Sequence, residues 1–334
     1  MHVRQQAVSK VACHARGFLA GIQKLLCSGF RLKIRRNDSF FLRWHRVTTI
    51  VLLFFCLDLS YSQGITGQEL LNHVKRIEGK SLADRKAYIK DQLRRMKVRF
   101  QTMPFRSFIP LRDTTVTGEN IIVPMGKGKK RIVVGAHSDA VPLSPGANDN
   151  GGGVAVVLGL IKSLGDYPWK YTVDFCFFDQ EEIGLVGSKE YVKKYKDKEK
   201  HLAMINLDVE GTGEELYVGP VGGGDDDMIM PLVRKAAQRL RFPLQERAAY
   251  PDSDHESFGK VKLENISVSV VPKGDADKLV AVVTGQRVDA TNYPEVLKVM
   301  HSPRDSAKYV TAKALQMSYE FTKTVLILLN ESGK

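Results

Sequence analysis

The chain has 334 residues, of which 43% are hydrophobic and 26% are charged. This composition is typical of a globular protein and excludes wholesale disorder, collagen and a coiled coil. The net charge of +13 suggests an anionic partner, but the charge is unevenly distributed. Residues 1–46 hold ten basic residues and one acid, whereas the other 288 residues hold 40 basic and 36 acidic side chains. The main part of the chain is therefore only mildly basic, and we expect no nucleic-acid partner.

The amino-terminal segment has the pattern of an export signal. The apolar run Val47–Leu57 follows the basic tail, and its eleven residues fit a signal peptide better than a membrane-spanning helix. The small residues Ser60 and Ser62 predict cleavage near residues 62–64. We therefore expect a secreted or periplasmic protein with no stable membrane span after cleavage. The tail is long for a signal peptide, so we expect the true start within residues 32–47; the alternative is a cytosolic tail with a chance apolar run.

The rest of the chain alternates predicted helices and strands. Apolar residues at helical spacing predict two helices within residues 66–97, and extended segments follow at 98–105 and 119–124. We then expect strands at 131–136, 171–178, 201–207 and 265–271, and helices at about 150–164, 185–196, 227–241 and 311–330. This alternation predicts an α/β fold of three layers, with a mixed, largely parallel central sheet and helices on both faces. No linker divides residues 64–334, so we expect a single catalytic domain after a tail and signal peptide over residues 1–63.

Histidines and carboxylates follow the predicted strands, at the edge of the sheet where ligands bind in such folds. They are His137, Asp139, Asp149, Glu181, Glu182, Asp208, His301 and Asp305. Mixed nitrogen and oxygen donors suit Zn²⁺ better than Mg²⁺ or Ca²⁺. A single zinc needs only three protein ligands, so the surplus favours two ions that share one carboxylate. Gly151–Gly153 lacks the lysine and hydroxyl residues of a phosphate-binding loop, so we expect no bound nucleotide.

The order and spacing of these motifs resemble the twenty-eighth family of metallopeptidases, which contains secreted di-zinc aminopeptidases, some carboxypeptidases and glutaminyl cyclases. The resemblance extends over about residues 66–330. It is carried by the strings His137-x-Asp139, Gly146-Ala-Asn-Asp149-Asn-Gly, Phe178-Asp-Gln-Glu181-Glu182-x-Gly-Leu-x-Gly-Ser188, Asn206-Leu-Asp208, Ser253-Asp-His255-x-x-Phe258 and His301-Ser-Pro-x-Asp305.

The resemblance implies two zinc ions per chain and a ligand set for each. His137 and Asp208 would bind one ion. Glu182 and His301 would bind the other, and Asp149 would bridge the two. The fold implied is that of the zinc exopeptidases, and peptides are the substrates implied.

The resemblance also implies roles beside the metal ions. Asp139 would accept the second ring N–H of His137 and so fix its tautomer. Glu181 would be the general base and acid, taking a proton from the attacking water and delivering it to the leaving amine. The peptide bond between Asp149 and Asn150 matches a position that is typically cis in the family.

One position departs from the family pattern. In several members a tyrosine precedes the last histidine and holds the oxyanion, whereas this chain has Met300. Either another donor serves, for which Tyr250 and His255 are candidates, or that hydrogen bond is missing. We expect His255 and its neighbour Asp254 either beside the site or as a loop cap.

The function that these features favour is a secreted zinc aminopeptidase. A carboxypeptidase shares the metal site: Arg247 or Arg304 would then receive a substrate carboxylate, whereas Glu210 or Glu181 would receive a free amine. A glutaminyl-cyclase-like enzyme on the same fold is a further alternative. From another class, the alternative is a metal-binding ectodomain without catalysis.

Overall fold

The structure is a computed structural model that describes residues 64–195, 201–221 and 228–332. The predicted signal sequence lies outside the described residues. The elements in chain order are α1 Gly67–Ile77, α2 Leu82–Arg95, β1 Gln101–Ile109, β2 Thr114–Met125, β3 Arg131–His137, α3 Gly151–Leu164, β4 Thr172–Phe178, α4 Val186–Lys194, β5 His201–Leu207, β6 Glu215–Gly219, α5 Ile229–Leu240, β7 Leu244–Glu246, α6 His255–Gly259, β8 Asn265–Val271, α7 Asp275–Val283 and α8 Ala312–Ser332. Short 3-10 helices lie at Pro110–Arg112 and Val296–Lys298. Within these ranges we find no helix with both the length and the apolar character needed to cross a bilayer.

The eight strands form one sheet in the order β1-β2-β4-β3-β5-β8-β6-β7. The central strands β4, β3, β5 and β8 are parallel to one another. Antiparallel pairing joins β1 to β2, β2 to β4, and β6 to β8. The predicted α/β fold with a mixed, largely parallel sheet is confirmed.

Two hydrophobic cores cover the two faces of the sheet. Along β3, Ile132 and Val134 belong to one core and Val133 to the other, because successive side chains of a strand point to opposite faces. The larger core contains side chains of α1, α3, α5 and α8. The smaller contains Tyr191 of α4 and Phe258 of α6. The predicted three layers are therefore present.

Helix α3 lies almost entirely inside the larger core, because most of its side chains are apolar and buried. Its first turn is capped by Asn150, whose side-chain oxygen accepts from the Gly153 N–H at 2.9 Å. The Asn150 amide also donates to the Leu207 carbonyl at 2.7 Å. A Cβ on Gly153 would lie 2.6 Å from that same carbonyl oxygen, so only glycine permits this approach.

Several short elements were not predicted, namely β6, β7, α6 and α7. Strand β7 has three residues and α6 has five, which is too short a window for a periodic pattern. Strand β6 has five residues between glycine-rich segments that favour a loop. The first extended segment also runs over Gln101–Ile109 instead of 98–105, because all nine of its residues pair with β2. Pairing partners, which are distant in sequence, decide such boundaries.

We predict that His73 on α1 makes stability depend on pH. Burial, reinforced by Lys162, lowers the pKa of His73 to about 4, and its Nδ1 lies 2.7 Å from the Tyr88 hydroxyl. The unfolded chain therefore binds the extra proton between pH 6.5 and 4, and stability is lost as the pH falls through that range. Between pH 7.5 and 5 this loss amounts to roughly 2 kcal/mol.

The measurement is urea unfolding of the wild type and of His73→Gln at both pH values. The variant should lose less stability on acidification than the wild type, by about that amount. An equal pH dependence in the two proteins would contradict the prediction.

Candidate metal centre

The candidate ligands lie at the carboxyl edge of the parallel strands. His137 is the last residue of β3, Glu181 and Glu182 follow β4, and Asp208 follows β5. Because β3 pairs in parallel with both β4 and β5, the three strand ends meet at one edge. Asp149 reaches the same place from the segment before α3.

The Asp149 carboxylate lies between two imidazoles. Its Oδ1 is 3.0 Å from His137 Nε2, and its Oδ2 is 2.9 Å from His301 Nε2. His137 Nε2 is also 3.6 Å from Asp208 Oδ1, and His301 Nε2 is 3.2 Å from Glu182 Oε2. The five predicted ligands thus form two groups that share Asp149.

Three sets of side chains in the described ranges place possible ligand atoms within 4.8 Å of one another. They are His137, Asp149 and Asp208; Asp149, Glu182 and His301; and His137, Glu181 and Glu182. The first two sets correspond to the two predicted zinc sites. The third set shares His137 with the first set and Glu182 with the second, so the Glu181 carboxyl group lies next to both.

The cluster has the chemistry of a cation site. Asp208 Oδ1 and Glu182 Oε1 are buried atoms without a hydrogen-bond partner among the described residues, and leaving such oxygens unpaired is costly. Two imidazoles with three carboxylates are a donor set that suits zinc. Hydrogen bonds to Asp149 and Glu182 raise the pKa of His301 to about 10. Burial alone would lower the pKa of His137, but Glu181 and the other nearby carboxylates raise it well above its usual value.

Asp139 connects three of the predicted site residues. Its Oδ1 lies 3.4 Å from His137 Nδ1, the contact expected from the family resemblance. The same carboxylate accepts the backbone N–H of Glu181 and of Glu182, each at 3.1 Å. Asp139 therefore holds the segment of the two glutamates and lies beside the Nδ1 edge of the imidazole.

Asp305 holds the backbone of the bridging residue Asp149, a role that the sequence motifs did not indicate. It is fully buried, and its two oxygens accept the backbone N–H groups of Asn148 at 2.7 Å and Asp149 at 3.1 Å. The available signal was its place four residues after His301 at the end of a motif. Its partners are more than 150 residues away in sequence, so the spacing alone does not reveal the contact.

Hydrogen bonds fix both the side chain and the backbone of Asp208. Its Oδ2 accepts from the Ser253 hydroxyl at 2.7 Å, and its N–H donates to Glu210 Oε1 at 3.1 Å. Glu210 is fully buried, and this burial raises its pKa well above the usual value. The alternative that Glu210 receives a substrate amine is therefore wrong, because its side chain does not reach solvent.

Tyr250 does not supply the oxyanion hydrogen bond that the family tyrosine makes and that Met300 cannot make. The single hydroxyl proton of Ser269 is donated to the Asp208 carbonyl, so in the bond between Ser269 and Tyr250 the tyrosine must be the donor. Tyr250 then has no proton left for a substrate oxyanion. Its ring is stacked on Tyr217, with centroids 4.6 Å apart, which holds it in this position.

His255 is connected to the cluster through a chain of three polar side chains. Its Nδ1 lies 2.8 Å from the Ser267 hydroxyl, and Asn206 donates to both Ser267 and Ser253. Ser253 in turn holds Asp208. Burial lowers the pKa of His255 to about 4, so the imidazole is neutral near pH 7.

Asp254 is buried at the start of α6. Its side chain makes no capping hydrogen bond to that helix, so the loop-cap interpretation is wrong. Burial raises the pKa of Asp254 to about 7. Asp254 is also one of the charges that raise the pKa of Glu181, so it belongs to the surroundings of the cluster.

Strained backbone accompanies the ligand-bearing segments. Gln180, Val209 and His301 have φ values of +60°, +63° and +58°, in the left-handed region that these residues rarely adopt. Gln180 precedes Glu181, and Val209 follows Asp208. Such conformations persist only where the surrounding structure enforces them, and they concentrate at functional sites. The peptide bond between Asp149 and Asn150 is cis, as the family resemblance predicts.

The fold and the cluster define a class of α/β proteins that bind metal at the carboxyl edge of a mixed sheet. Within that class the chain belongs to peptidase family M28. The sequence profile described as "Peptidase family M28" matches residues 120–326, more than half of the chain. This confirms the family resemblance drawn from the motifs.

Aminopeptidase YwaD of Bacillus subtilis is 31% identical over 215 residues, which are 61% of this chain and 43% of YwaD. The chain therefore spans less than half the length of this relative. The solved structure of BSAP, a zinc aminopeptidase from Bacillus subtilis, is 27% identical with a TM-score of 0.54, covering 65% of this chain and 52% of that one. A glutaminyl cyclase from an Acidobacteriales bacterium has a TM-score of 0.63 at 21% identity, and the match covers 80% of this chain and 96% of that one. The last likeness concerns the fold alone.

We predict that Asp305→Asn weakens metal binding. The asparagine keeps one oxygen acceptor, and its NH₂ group must then face a backbone N–H, which displaces the Asn148–Asp149 segment. Changes in residues that orient ligands typically cost 10–100-fold in metal affinity, and we expect a loss of about that size. Zinc competition with a chromophoric chelator measures it. Asp91→Asn on α2, a half-exposed site, is the matched control and should bind zinc as the wild type does; an Asp305→Asn affinity equal to this control would refute the role.

Proposed function

We propose that this chain is an aminopeptidase that uses two zinc ions to hydrolyse amino-terminal peptide bonds. The observation that supports this most strongly is the Asp149 carboxylate between His137 and His301, with one oxygen facing each imidazole. A carboxylate shared between two ligand sets suits a site of two closely spaced ions. Membership of family M28 and the aminopeptidase relatives agree with the proposal.

In this proposal His137 and Asp208 hold one zinc ion. Glu182 and His301 hold the other, and Asp149 contributes to both. When bound, zinc acts as a Lewis acid that lowers the pKa of water and polarises a peptide carbonyl.

Glu181 is proposed as the general base and acid. Its backbone is fixed by Asp139, so the carboxyl group stays beside the ligand cluster. Burial, followed by the negative charges of Asp254, Asp208 and Glu182, raises the pKa of Glu181 well above its usual value. A carboxyl group of raised pKa holds a proton long enough to pass it to the leaving amine.

The contacts of two arginines favour aminopeptidase over carboxypeptidase specificity, because both candidate receptors for a substrate carboxylate are bound within the chain. Arg247, a candidate receptor for a substrate carboxylate, instead binds Asp277 with both Nε and Nη2. The other candidate, Arg304, donates to the Lys298 carbonyl.

We further propose that the catalytic domain spans residues 64–334 and that residues 1–63 direct its export. The apolar run at residues 47–57 and the small residues before position 63 support this. Sequencing the amino terminus of the protein recovered outside the cytoplasm tests it. A mature protein that begins before residue 47 would refute the proposal.

The substrate class is tested with zinc-loaded protein and matched peptides whose amino terminus is free or acetylated. We expect release of the first residue from free peptides only. We also expect about two zinc ions per chain, and loss of activity on chelation. Hydrolysis of acetylated peptides alone would refute aminopeptidase activity, and cyclisation of glutaminyl peptides without hydrolysis would identify a cyclase.

We predict that Glu181→Gln removes most turnover but keeps the metal. Glutamine preserves shape but cannot take a proton, and general acid–base catalysis typically contributes 10²–10⁴-fold, so kcat should fall by roughly that factor. Zinc content should remain at the wild-type level, whereas Asp149→Asn should lose zinc as well. Steady-state kinetics and metal analysis of the same preparations measure both. A wild-type rate in Glu181→Gln would show that another group is the base.

A further inference from the structure

Helix α2 lies outside the residues matched by the family profile, yet it contributes a charged side chain to the interior. Its buried positions are Arg85, Ile89 and Leu93, which follow one another at a spacing of four residues. An arginine therefore occupies the first position of an otherwise apolar stripe. Its exposure is 1%, and a buried guanidinium is unfavourable unless nearby groups compensate its charge.

The guanidinium of Arg85 holds the loop that carries the bridging ligand. Its Nη2 donates to the carbonyl oxygens of Pro145 at 2.7 Å and Gly146 at 2.8 Å, three to four residues before Asp149. Gly146 has φ +61°, and a Cβ there would lie 2.4 Å from Arg85 Nη2. The loop is thus shaped to receive the guanidinium. The Gly146 carbonyl also accepts the Gly151 N–H at the start of α3, which connects this contact to the helix beyond Asp149.

The charge of Arg85 is matched by the carboxylates of the centre. Burial lowers the pKa of Arg85, and Asp139, Asp149, Asp305 and Glu182 each oppose that shift. Two of these four are proposed ligands, and the other two hold ligand-bearing backbone. These carboxylates therefore help to stabilise the buried guanidinium, which explains why a charged side chain is tolerated in the apolar stripe.

The next residue of α2 holds a second ligand-bearing segment. Lys86 Nζ lies 2.8 Å from Asp179 Oδ2, and the buried Asp179 directly precedes Gln180 and Glu181. Asp179 Oδ2 also accepts the Glu119 N–H at 2.8 Å, which connects the segment to β2. Two neighbouring residues of α2 thus contact the loop before Asp149 and the side chain of Asp179, which precedes the two glutamates.

We propose that Arg85 is a positioning residue of the metal centre, which holds Asp149 in place through the Pro145 and Gly146 carbonyls. This inference rests on the proposed function, because it assigns Arg85 to the same zinc site. Arg85 touches neither solvent nor substrate, so its effect should fall on metal affinity and kcat and leave KM nearly unchanged.

The experiment compares Arg85→Met, Arg85→Lys and the control Arg95→Met in the full chain. Arg95 lies on the same helix but is exposed, and it pairs with Asp91 four residues before it. Three quantities are measured: the unfolding temperature of the metal-free protein, the zinc dissociation constant by chelator competition, and kcat and KM at saturating zinc. We expect Arg85→Met to weaken zinc binding and lower kcat by about tenfold or more, with KM changed less than about threefold.

Arg85→Lys keeps a donor on a shorter side chain, so its zinc affinity should lie between those of Arg85→Met and the wild type, about threefold below the wild type. Arg95→Met should match the wild type in all three measurements. A lower unfolding temperature in Arg85→Met with unchanged zinc affinity and kcat would show a purely structural role and overturn the proposal.

If Arg85→Met does not fold, the Arg85→Lys variant tests the proposal instead. Its zinc affinity should then be weaker than that of Arg95→Met. Equal affinities in these two variants would overturn the proposal. A wild type that binds zinc but cleaves no peptide would refute the proposed function alone. A wild type that binds no zinc would refute both.

Discussion

The repulsion between carboxylates gathered at one edge of the sheet is the constraint on which the rest of this structure depends. The carboxylate oxygens of Asp149 lie close to His137 and Asp208 in one group of ligand atoms and to Glu182 and His301 in another. In metal-free protein the histidines neutralise part of this charge, which is why the pKa of His301 is raised to about 10. Such a cluster stays together only if other groups fix the backbone that carries each carboxylate, because the negatively charged side chains repel one another.

The structure supplies that support by a second set of charged and polar groups. Asp139 and Asp305 accept backbone N–H groups from the ligand-bearing segments, which keeps these segments in place without adding a contact to the ligand atoms. Ser253 holds the Asp208 carboxylate directly. Arg85 holds the Pro145 and Gly146 carbonyls of the loop that leads to Asp149. The parallel sheet provides the rigid frame, since the ends of β3, β4 and β5 are already adjacent before any ligand is bound.

The sequence predicted the main elements well and pointed to the five candidate ligands that the structure brings together, because both leave local patterns. Buried parallel strands are short β-branched runs, and ligands follow strand ends in fixed motifs. Elements of five residues or fewer, such as β6 and α6, leave no such pattern. Arg85 and Asp305 were missed because their contacts join segments far apart in sequence. The expectation that Glu210 could receive a substrate amine failed for the same reason: nothing in its neighbourhood along the chain indicates that it is fully buried.

By itself, the sequence determined the fold class, the family and the residue types that meet at the strand ends, since periodicity and motif spacing are local properties. It also separated the basic residues of positions 1–46 from the nearly balanced remainder, and so removed the apparent case for an anionic partner. Only the tertiary structure decided that Asp149 faces both imidazoles, that the Tyr250 proton is already donated, and that a buried arginine lies against the loop of the bridging residue. Those outcomes depend on distances between segments that pack together, and packing is a property of the whole chain.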